Sequence, residues 1–210
     1  SREYLAPLTQ RVADSIRTRM PVSRILRPPG KPVVVQFTNG LMREFDEVVI
    51  ATHSDEALKM LGDPTDHEKA VLGAMPYRDN EVILHTDTRL LPKTQRAWSS
   101  WNYRLKPGNG RATVTYNMNI LQGIDAPETF CVTLNDTASI NPHRILGRFN
   151  YAHPQFTLDG MQAQRRWADI NGHNGTWFCG AYWQNGFHED GLASGLRVAE
   201  SLCSARQMAA

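Results

Sequence analysis

The spacing of apolar residues changes from helical to strand-like within the first fifty positions of the chain. Residues 4–19 carry apolar side chains at every third or fourth position, which predicts one amphipathic helix. The run VVVQFT at 33–38 predicts a strand, and Asn39-Gly40 is the pair that a tight hairpin turn prefers. The returning strand ends in VVIA at 48–51, which is apolar on both faces. Such a strand is typical of a sheet interior that helices cover.

Further along the chain, the pattern predicts short helices, then strands, then helices again. Ser54 is the predicted N-cap of one helix, and Asp63-Pro64 is predicted to open another. Residues 77–149 contain strand-like runs separated by turn-rich pieces, and the alternation in TVTYNMN indicates an antiparallel sheet with one covered face. Helix resumes at DGMQAQRRWADI, and a final strand and helix follow.

This order of elements predicts an α/β (α+β) protein. Residues 1–75 and 155–210 are expected to be parts of one α/β layer, because both combine buried strands with amphipathic helices. Residues 76–154 are expected to form a strand-rich, mainly antiparallel insertion between them.

Composition and charge exclude several classes of protein. The chain of 210 residues is 41% hydrophobic and 21% charged, as in globular proteins that bury a core. Its net charge of +2 argues against a dedicated nucleic-acid binder, and no apolar run is long enough to predict a transmembrane segment. The three widely spaced cysteines predict a reducing, cytoplasmic location. Neither the cysteines nor the seven histidines form a metal-binding motif, so no metal site is predicted.

The segment GTWFCGAYWQNGFHEDGLASGLRVAESL, residues 175–202, predicts a strand, a turn and a helix whose first turn has unusually small side chains. A helix N-terminus offers N–H groups and partial positive charge, and small residues let a flat or anionic group approach the backbone. Packing is the alternative explanation: Asp190 then caps the helix, while Gly191 and Gly195 allow close contact with the strand. Five aromatic residues between positions 177 and 187 favour a binding site.

The stretch FCGAYWQNGFHEDGLASGLRVAESL resembles the C-terminal flavin-binding motif of the FAD-dependent amine oxidoreductases, which include monoamine oxidase and relatives of phytoene desaturase. Residues 190–195 fill the acidic, glycine and small-residue positions of that motif. SREYLAPLTQRV and PVSRILRPPGKPVVVQFTNGLMREFDEVVIAT are similar to upstream parts of the family, and AWSSWNYR and TYNMNILQGI to a bacterial branch of predicted NAD/FAD-binding proteins. The resemblance implies part of an FAD-binding Rossmann-like layer with an inserted substrate domain.

The resemblance also implies hydride transfer from a substrate C–H bond to flavin, with the backbone around Gly191 and Leu192 stabilising the reduced ring. It places Val22 near the adenine and Ala51-Thr52 near the pyrophosphate. Tyr182, Trp183 and Phe187 are expected to wall the isoalloxazine, and His188 is either solvated or in contact with flavin or substrate. The complete set of predicted FAD-binding residues is Val22, Ala51, Thr52, Gly180, Ala181, Tyr182, Trp183, Phe187, His188, Asp190, Gly191, Leu192 and Ser194.

The predicted substrate is a small, hydrophobic molecule, either an amine or a lipid-like compound, because aromatic residues stand out in the insertion and charged site groups do not. Trp101, Tyr103, Tyr116 and Asn117 are its predicted contacts, with ordinary sheet packing as the alternative. No catalytic residue is assigned. The competing hypothesis is a non-catalytic binding module derived from a flavoprotein, in which Tyr182 and Phe187 pack into protein.

Two departures from the family pattern concern the cofactor. Gly180-Ala181 stands where many members have Gly-Asp, whose acid binds the flavin ribityl or phosphate. No G-x-G-x-x-G occurs in the chain, although the first βαβ unit of the family cradles the pyrophosphate with that motif. We therefore expect the C-terminal piece of a longer flavoprotein, which binds FAD poorly by itself.

Overall fold

The middle of the chain folds as a unit of its own in the computed structural model, which describes residues 5–105 and 112–209. Unit 2 is Tyr77–His153, and unit 1 combines the flanking segments Ser1–Pro76 and Pro154–Ala210. Both units mix helices with sheet, so the α/β (α+β) class is confirmed. The functions predicted for residues 1–75, 76–154 and 155–210 stay predictions.

Unit 1 contains two small sheets. Its strands, labelled in chain order, are β1 (Val22–Leu26), β2 (Val33–Phe37), β3 (Met42–Phe45), β4 (Val48–Ile50) and β10 (Thr176–Phe178). The first three form an antiparallel sheet, and the predicted Asn39-Gly40 turn joins β2 to β3, with Gly40 at a φ of 84°. β4 and β10 pair in parallel although far apart in the sequence. The prediction that the strand at 48–51 is buried on both faces is wrong, because Val49 of β4 is 45% exposed and only Ile50 is buried. Trp177 and Phe178 of β10 are both buried.

The helices of unit 1 pack around these sheets. They are α1 (Leu5–Thr9), α2 (Ser54–Met60), α3 (Asp66–Leu72), α5 (Leu158–Gln164) and α6 (His188–Ala209), with 3-10 turns at Gln10–Ser15, Trp167–Asp169 and Ala181–Trp183. The prediction of one helix over residues 4–19 is wrong, because α1 gives way to a 3-10 turn. Leu8 and Val12 are exposed, so the apolar face lacks the packing that stabilises an amphipathic helix.

Two predicted helix starts also differ by a few residues. The N-cap of α2 is His53, because Ser54 is already the first residue of the helix. The Oγ of buried Ser54 donates to the carbonyl of Met75 at 2.7 Å. α3 begins at Asp66, after Thr65, whose hydroxyl accepts the N–H of Glu68 at 3.2 Å. Side-chain hydrogen bonding to the backbone decides both starts, and helix ends are the least certain part of any sequence-based prediction.

Unit 2 is built on an antiparallel sheet. Its strands are β5 (Tyr77–His85), β6 (Trp101–Leu105), β7 (Ala112–Asn117), β8 (Cys131–Leu134) and β9 (Ile145–Pro154), whose last residue belongs to unit 1. They lie in the order β6-β7-β8-β5-β9. The helix α4 (Met118–Gln122) and 3-10 turns connect them, the turns being Thr88–Leu90, Gln95–Ala97, Thr137–Ser139 and Pro142–Arg144.

One face of this sheet is the core of unit 2. Ile83 packs there with Leu90 and Ile140. The same face carries a buried chain of hydrogen bonds in which His85 Nε2 lies 2.8 Å from the Thr133 hydroxyl, and that hydroxyl lies 2.8 Å from the Thr115 hydroxyl. Because buried polar groups need partners, these hydrogen bonds fix the register of β5, β8 and β7.

In the part of the chain that the structure describes, no helix has the length and apolarity needed to cross a membrane.

Candidate functional site

The parallel strands β4 and β10 end side by side in unit 1. Phe178 pairs with Ile50, and the N–H of Cys179 donates to the carbonyl of Ile50 at 3.1 Å. A Cβ atom on Gly180 would lie 3.4 Å from the carbonyl oxygen of Thr52, so the two chain segments that follow the strands stay in contact. Crevices at the carboxyl ends of parallel strands are where open α/β sheets bind ligands.

The start of α6 lies against the same place. A Cβ atom on Gly191 would meet the nitrogen of Ala181 at 3.8 Å, an ordinary contact distance, so the first turn of α6 lies beside the end of β10. A Cβ atom on Gly195 would meet nothing within 4 Å. Close packing between helix and strand therefore does not explain Gly195.

Asp190 is not the N-cap of α6, because the helix begins two residues earlier, at His188. Its carboxylate reaches back and accepts the N–H groups of Asn185 at 3.1 Å and Phe187 at 2.9 Å. Asp190 is therefore buried in the first turn of α6, and its carboxylate holds the preceding turn against the helix.

The turn itself, residues 180–187, is tied to both neighbouring helices, and we name it the clamped turn. The hydroxyl of Ser194 on α6 accepts the N–H of Gly180 at 3.1 Å. The side-chain amide of Gln164 on α5 donates to the carbonyls of Tyr182 at 2.9 Å and Gln184 at 2.7 Å. Sequence reasoning missed Gln164, because nothing in a helical pattern tells which loop a helix surface residue will meet.

The predicted aromatic wall divides between core and surface. Tyr182 and Trp183 are 2% and 6% exposed, with ring centroids 5.3 Å apart, and the indole of Trp183 donates to the carbonyl of Phe178 at 3.1 Å. Phe187 is 59% exposed at the end of the clamped turn, beside exposed His188. Only Phe187 of the three predicted wall residues thus presents an open ring.

The remaining predicted cofactor residues are not all neighbours. Ala51 is exposed just after β4, and Ala181 is half-buried beside Gly191. Leu192 is 58% exposed on α6. Val22 lies at the start of β1 and pairs with Phe37, in a different sheet from β4 and β10.

In unit 2, the sheet face opposite the core carries most of the predicted substrate residues. Cross-strand pairing places Trp101 opposite Tyr116, then Val132, then Leu84 in one row across four strands. The rings of Trp101 and Tyr116 meet edge to face with centroids 5.5 Å apart. Tyr103 lies two positions along β6 on the same face and is 67% exposed.

Asn117 does not belong to this group. It pairs with Cys131 on the opposite, core-facing side of the sheet and is only 1% exposed. Its side-chain oxygen accepts the N–H of Ile120 at 3.2 Å and so caps α4. Asn117 follows Tyr116 directly in β7, so its side chain points to the opposite face of the sheet, and its predicted substrate contact is wrong.

Two further aromatic residues complete this surface. Phe149 and Tyr151 of β9 stack with ring centroids 5.8 Å apart, and Phe149 lies over Gly147, beside Leu84. The alternation in GRFNY at 147–151 was a usable sequence signal for them. We name Leu84, Trp101, Tyr103, Tyr116, Val132, Phe149 and Tyr151 the aromatic face.

The aromatic face has little charge. Its strands contribute no aspartate or glutamate to that side of the sheet among the described residues. Burial, together with the nearby phenol of Tyr103, raises the pKa of Tyr116 above its ordinary value, so its hydroxyl stays neutral.

Over residues 5–105 and 112–209, no three His, Cys, Asp or Glu side chains group closely enough to hold a metal ion.

The sequence profile of the flavin containing amine oxidoreductases matches residues 2–203. The chain belongs to this family. The predicted family is thereby confirmed. No curated protein matches the chain significantly.

Solved structures of flavoenzymes and other enzymes share the fold of this amine oxidoreductase chain. Cyclohexylamine oxidase from Brevibacterium oxydans IH-35A is 13% identical with a TM-score of 0.60, over 96% of this chain and 53% of that one. Putrescine oxidase bound to putrescine is 12% identical with a TM-score of 0.60, and the match covers 95% of this chain and 53% of that one. A fatty acid isomerase from P. acnes that produces CLA is 14% identical with a TM-score of 0.57, over 86% and 47%. The chain thus spans about half the length of these structures.

The family implies a flavin cofactor, and the ends of β4 and β10 fit part of one. Ala51, Gly180, Ala181 and Gly191 put small side chains where the two strands and α6 meet, and the space beside Gly195 is open. A flat group can therefore reach the backbone beside Ala51 and Gly191, whereas the ring of Tyr182 already fills the side of Gly180. Ala181 offers no carboxylate, so any contact to a ribityl or phosphate group must come from the backbone at this point.

Proposed function

We propose that this chain supplies the C-terminal half of the FAD site of an FAD-dependent oxidoreductase, with the other half on polypeptide outside this sequence. The meeting of the β4 and β10 ends with the start of α6 carries this proposal. Family membership, the half-length match to solved structures and the missing G-x-G-x-x-G support it. The chain by itself then binds FAD weakly and is inactive.

In this proposal the backbone of Thr52, Ala181 and Gly191 lies against the cofactor, because these residues meet where β4, β10 and α6 come together. Gly180, predicted as a cofactor contact, supports this place from behind, because its N–H is bound by Ser194 and the Tyr182 ring lies against it. The first-turn N–H groups of α6 and the helix dipole favour negative charge at the flavin edge. Tyr182 and Trp183 support the turn from inside the protein, and among the three predicted wall residues Phe187 offers the exposed ring. When bound, FAD supplies a hydride acceptor for a substrate C–H bond.

The proposed substrate is a small hydrophobic molecule that contacts the aromatic face. Seven apolar or aromatic side chains lie there, and the absence of aspartate and glutamate from its described strand positions leaves no salt bridge for an ammonium group. A lipid-like compound therefore suits this surface better than a cationic amine.

The three unpaired thiols support a reducing, cytoplasmic location.

A flavin spectrum of the full-length parent protein tests the cofactor proposal. We expect bound flavin after desalting, and loss of most of it in Gly191→Val, whose added side chain fills the space between the first turn of α6 and Ala181. Ala199→Val, an exposed position on the same helix, is the matched control and keeps its flavin. A colourless, folded parent protein would reject the FAD site and favour a non-catalytic binding module.

A further inference from the structure

The clamped turn is fixed from two sides before any ligand is considered. Gln164 on α5 donates to two carbonyls of the turn, those of Tyr182 and Gln184. Asp190 on α6 accepts two N–H groups of the turn, those of Asn185 and Phe187. Gln164 thus binds the first half of the segment, which contains the 3-10 turn Ala181–Trp183, and Asp190 binds the second half.

This arrangement restricts a segment that would otherwise be mobile. Gly180 has a φ of 157°, Gly186 has a φ of 88°, and residues 184–187 are exposed. Fixing the backbone of one such residue costs about 1–2 kcal/mol of conformational entropy, so a loop of this kind stays ordered only if other groups hold it. Backbone bonds within the turn and the bond from Gly180 to Ser194 supply part of that restraint. The side-chain bonds of Gln164 and Asp190 add to it by tying the turn to α5 and α6.

We infer that Gln164 and Asp190 are positioning residues for the flavin-facing backbone rather than cofactor ligands. This inference rests on the proposed function. Their hydrogen bonds set the path from Gly180, two residues after the end of β10, to His188, where α6 begins. They thereby fix the first-turn N–H groups of α6 and the exposed ring of Phe187 relative to the strand ends. Preorganised dipoles stabilise developing charge better than dipoles that must reorient.

The first measurement is amide hydrogen exchange in the flavin-free protein. Gln164→Met has similar size but cannot donate, and we expect exchange of the Gln184–Phe187 segment to accelerate about tenfold or more, because its hold on the turn is lost. Gln162→Met changes an exposed residue of the same helix and leaves exchange in the turn unchanged. Asp190→Ala should act like Gln164→Met, whereas Asp190→Asn keeps an acceptor oxygen and preserves most of the protection.

The second measurement is the reduction potential of flavin bound to the full-length parent. We expect Gln164→Met and Asp190→Ala to shift it to more negative values, with Gln162→Met and Asp190→Asn close to the parent. Loss of packing alone would lower the melting temperature without moving the potential.

The outcomes separate the inference from the proposed function. Unchanged exchange in Gln164→Met would show that the clamp does not hold the turn and would overturn the inference. Faster exchange with an unchanged potential in a flavin-loaded parent would also overturn it, while the FAD proposal would stand. A parent that binds no flavin would overturn the FAD proposal, and the positioning role would fall with it.

Discussion

Arg27 and Glu68 form a two-pronged ion pair inside unit 1, although they are 41 positions apart in the sequence. The guanidinium Nη2 donates to Glu68 Oε2 at 2.9 Å, and Nη1 pairs with Oε1. Both side chains are 2% exposed. The same guanidinium donates to Thr176 of β10 at 3.0 Å and pairs with Asp63 at 3.0 Å, so it joins the end of β1 to α3 and to β10.

Removing one charge of this pair should destabilise unit 1 strongly. Glu68→Gln leaves the Arg27 guanidinium buried without its main counter-charge, and we expect a loss of about 3 kcal/mol in the free energy of unfolding. Urea unfolding followed by tryptophan fluorescence measures this loss. The exposed Lys59–Asp55 pair is the control, and Lys59→Ala should cost about 0.5 kcal/mol or less. Equal losses at the two sites would contradict the role given to burial.

A methyl group at position 180 should not fit. A Cβ atom on Gly180 would lie 2.5 Å from the ring of Tyr182, so Gly180→Ala forces a buried ring to move, and we expect a loss of about 1–3 kcal/mol. Gly195→Ala is the matched control, because it adds the same methyl group in open space within a helix and should stabilise the protein by about 0.5–1 kcal/mol. Thermal unfolding of the two variants measures both effects. We expect the melting temperature to fall in Gly180→Ala and to rise in Gly195→Ala.

The stability of unit 2 should fall as the solution becomes mildly acidic. Burial lowers the pKa of His85 below its usual value of 6.5, and the carboxylate of Asp87 opposes this shift only in part. Below pH 6.5 the unfolded chain therefore binds a proton that folded His85 does not, so stability is lost as the pH falls towards the folded pKa.

Urea midpoints at a pH of about 7.5 and about 5.5 test this expectation. Between these two pH values, the free energy of unfolding should fall more in the native protein than in the His85→Asn variant. A difference in stability between the two proteins at a single pH does not enter this comparison. Arg89, bound to Asp87, holds the pKa of that carboxyl far below its ordinary value, so the acid-sensitive contribution of Asp87 disappears only at lower pH. A pH dependence that is identical in the variant would contradict the role of His85.

The thiols should differ sharply in reactivity. Cys203 is exposed on α6, whereas Cys131 and Cys179 are buried. Burial, with a contribution from Asp87, raises the pKa of Cys131 to about 11, and burial also raises the pKa of Cys179, so little thiolate forms at neutral pH. Mass spectrometry after brief alkylation should find one modified thiol, Cys203, in the folded protein and three in urea. Rapid labelling of Cys131 in the folded state would contradict this assignment.

Removing an exposed ring from the aromatic face should affect binding more than folding. Tyr103 is 67% exposed, so Tyr103→Ala should change the free energy of unfolding by about 0.5 kcal/mol or less. In the full-length parent, we expect it to weaken binding of a fatty-acid probe about tenfold, because a ring of this size contributes on the order of 1.4 kcal/mol when a ligand covers it. Titration measures this affinity. Leu8→Ala, at an exposed position of α1, is the control and should leave binding unchanged.

Local patterns determined much of the architecture of this protein. Apolar runs predicted the positions of the strands at 48–50 and 176–178, of which only the second is buried throughout, and a glycine-containing pair predicted the hairpin at Asn39-Gly40. Period-two alternation predicted the antiparallel middle of the chain, and the small residues at 190–195 marked the segment that identified the family. These features were readable because side-chain spacing and backbone freedom act over a few residues.

Only the tertiary structure decided which distant residues meet. It buried Tyr182 and Trp183, left Phe187 open, turned Asn117 to the core and brought Gln164 to the clamped turn. It also left the apolar side of α1 uncovered, so the predicted long helix did not persist. In each case the result depends on which surface packs against which, and packing between segments far apart in the chain leaves no periodic trace in the sequence.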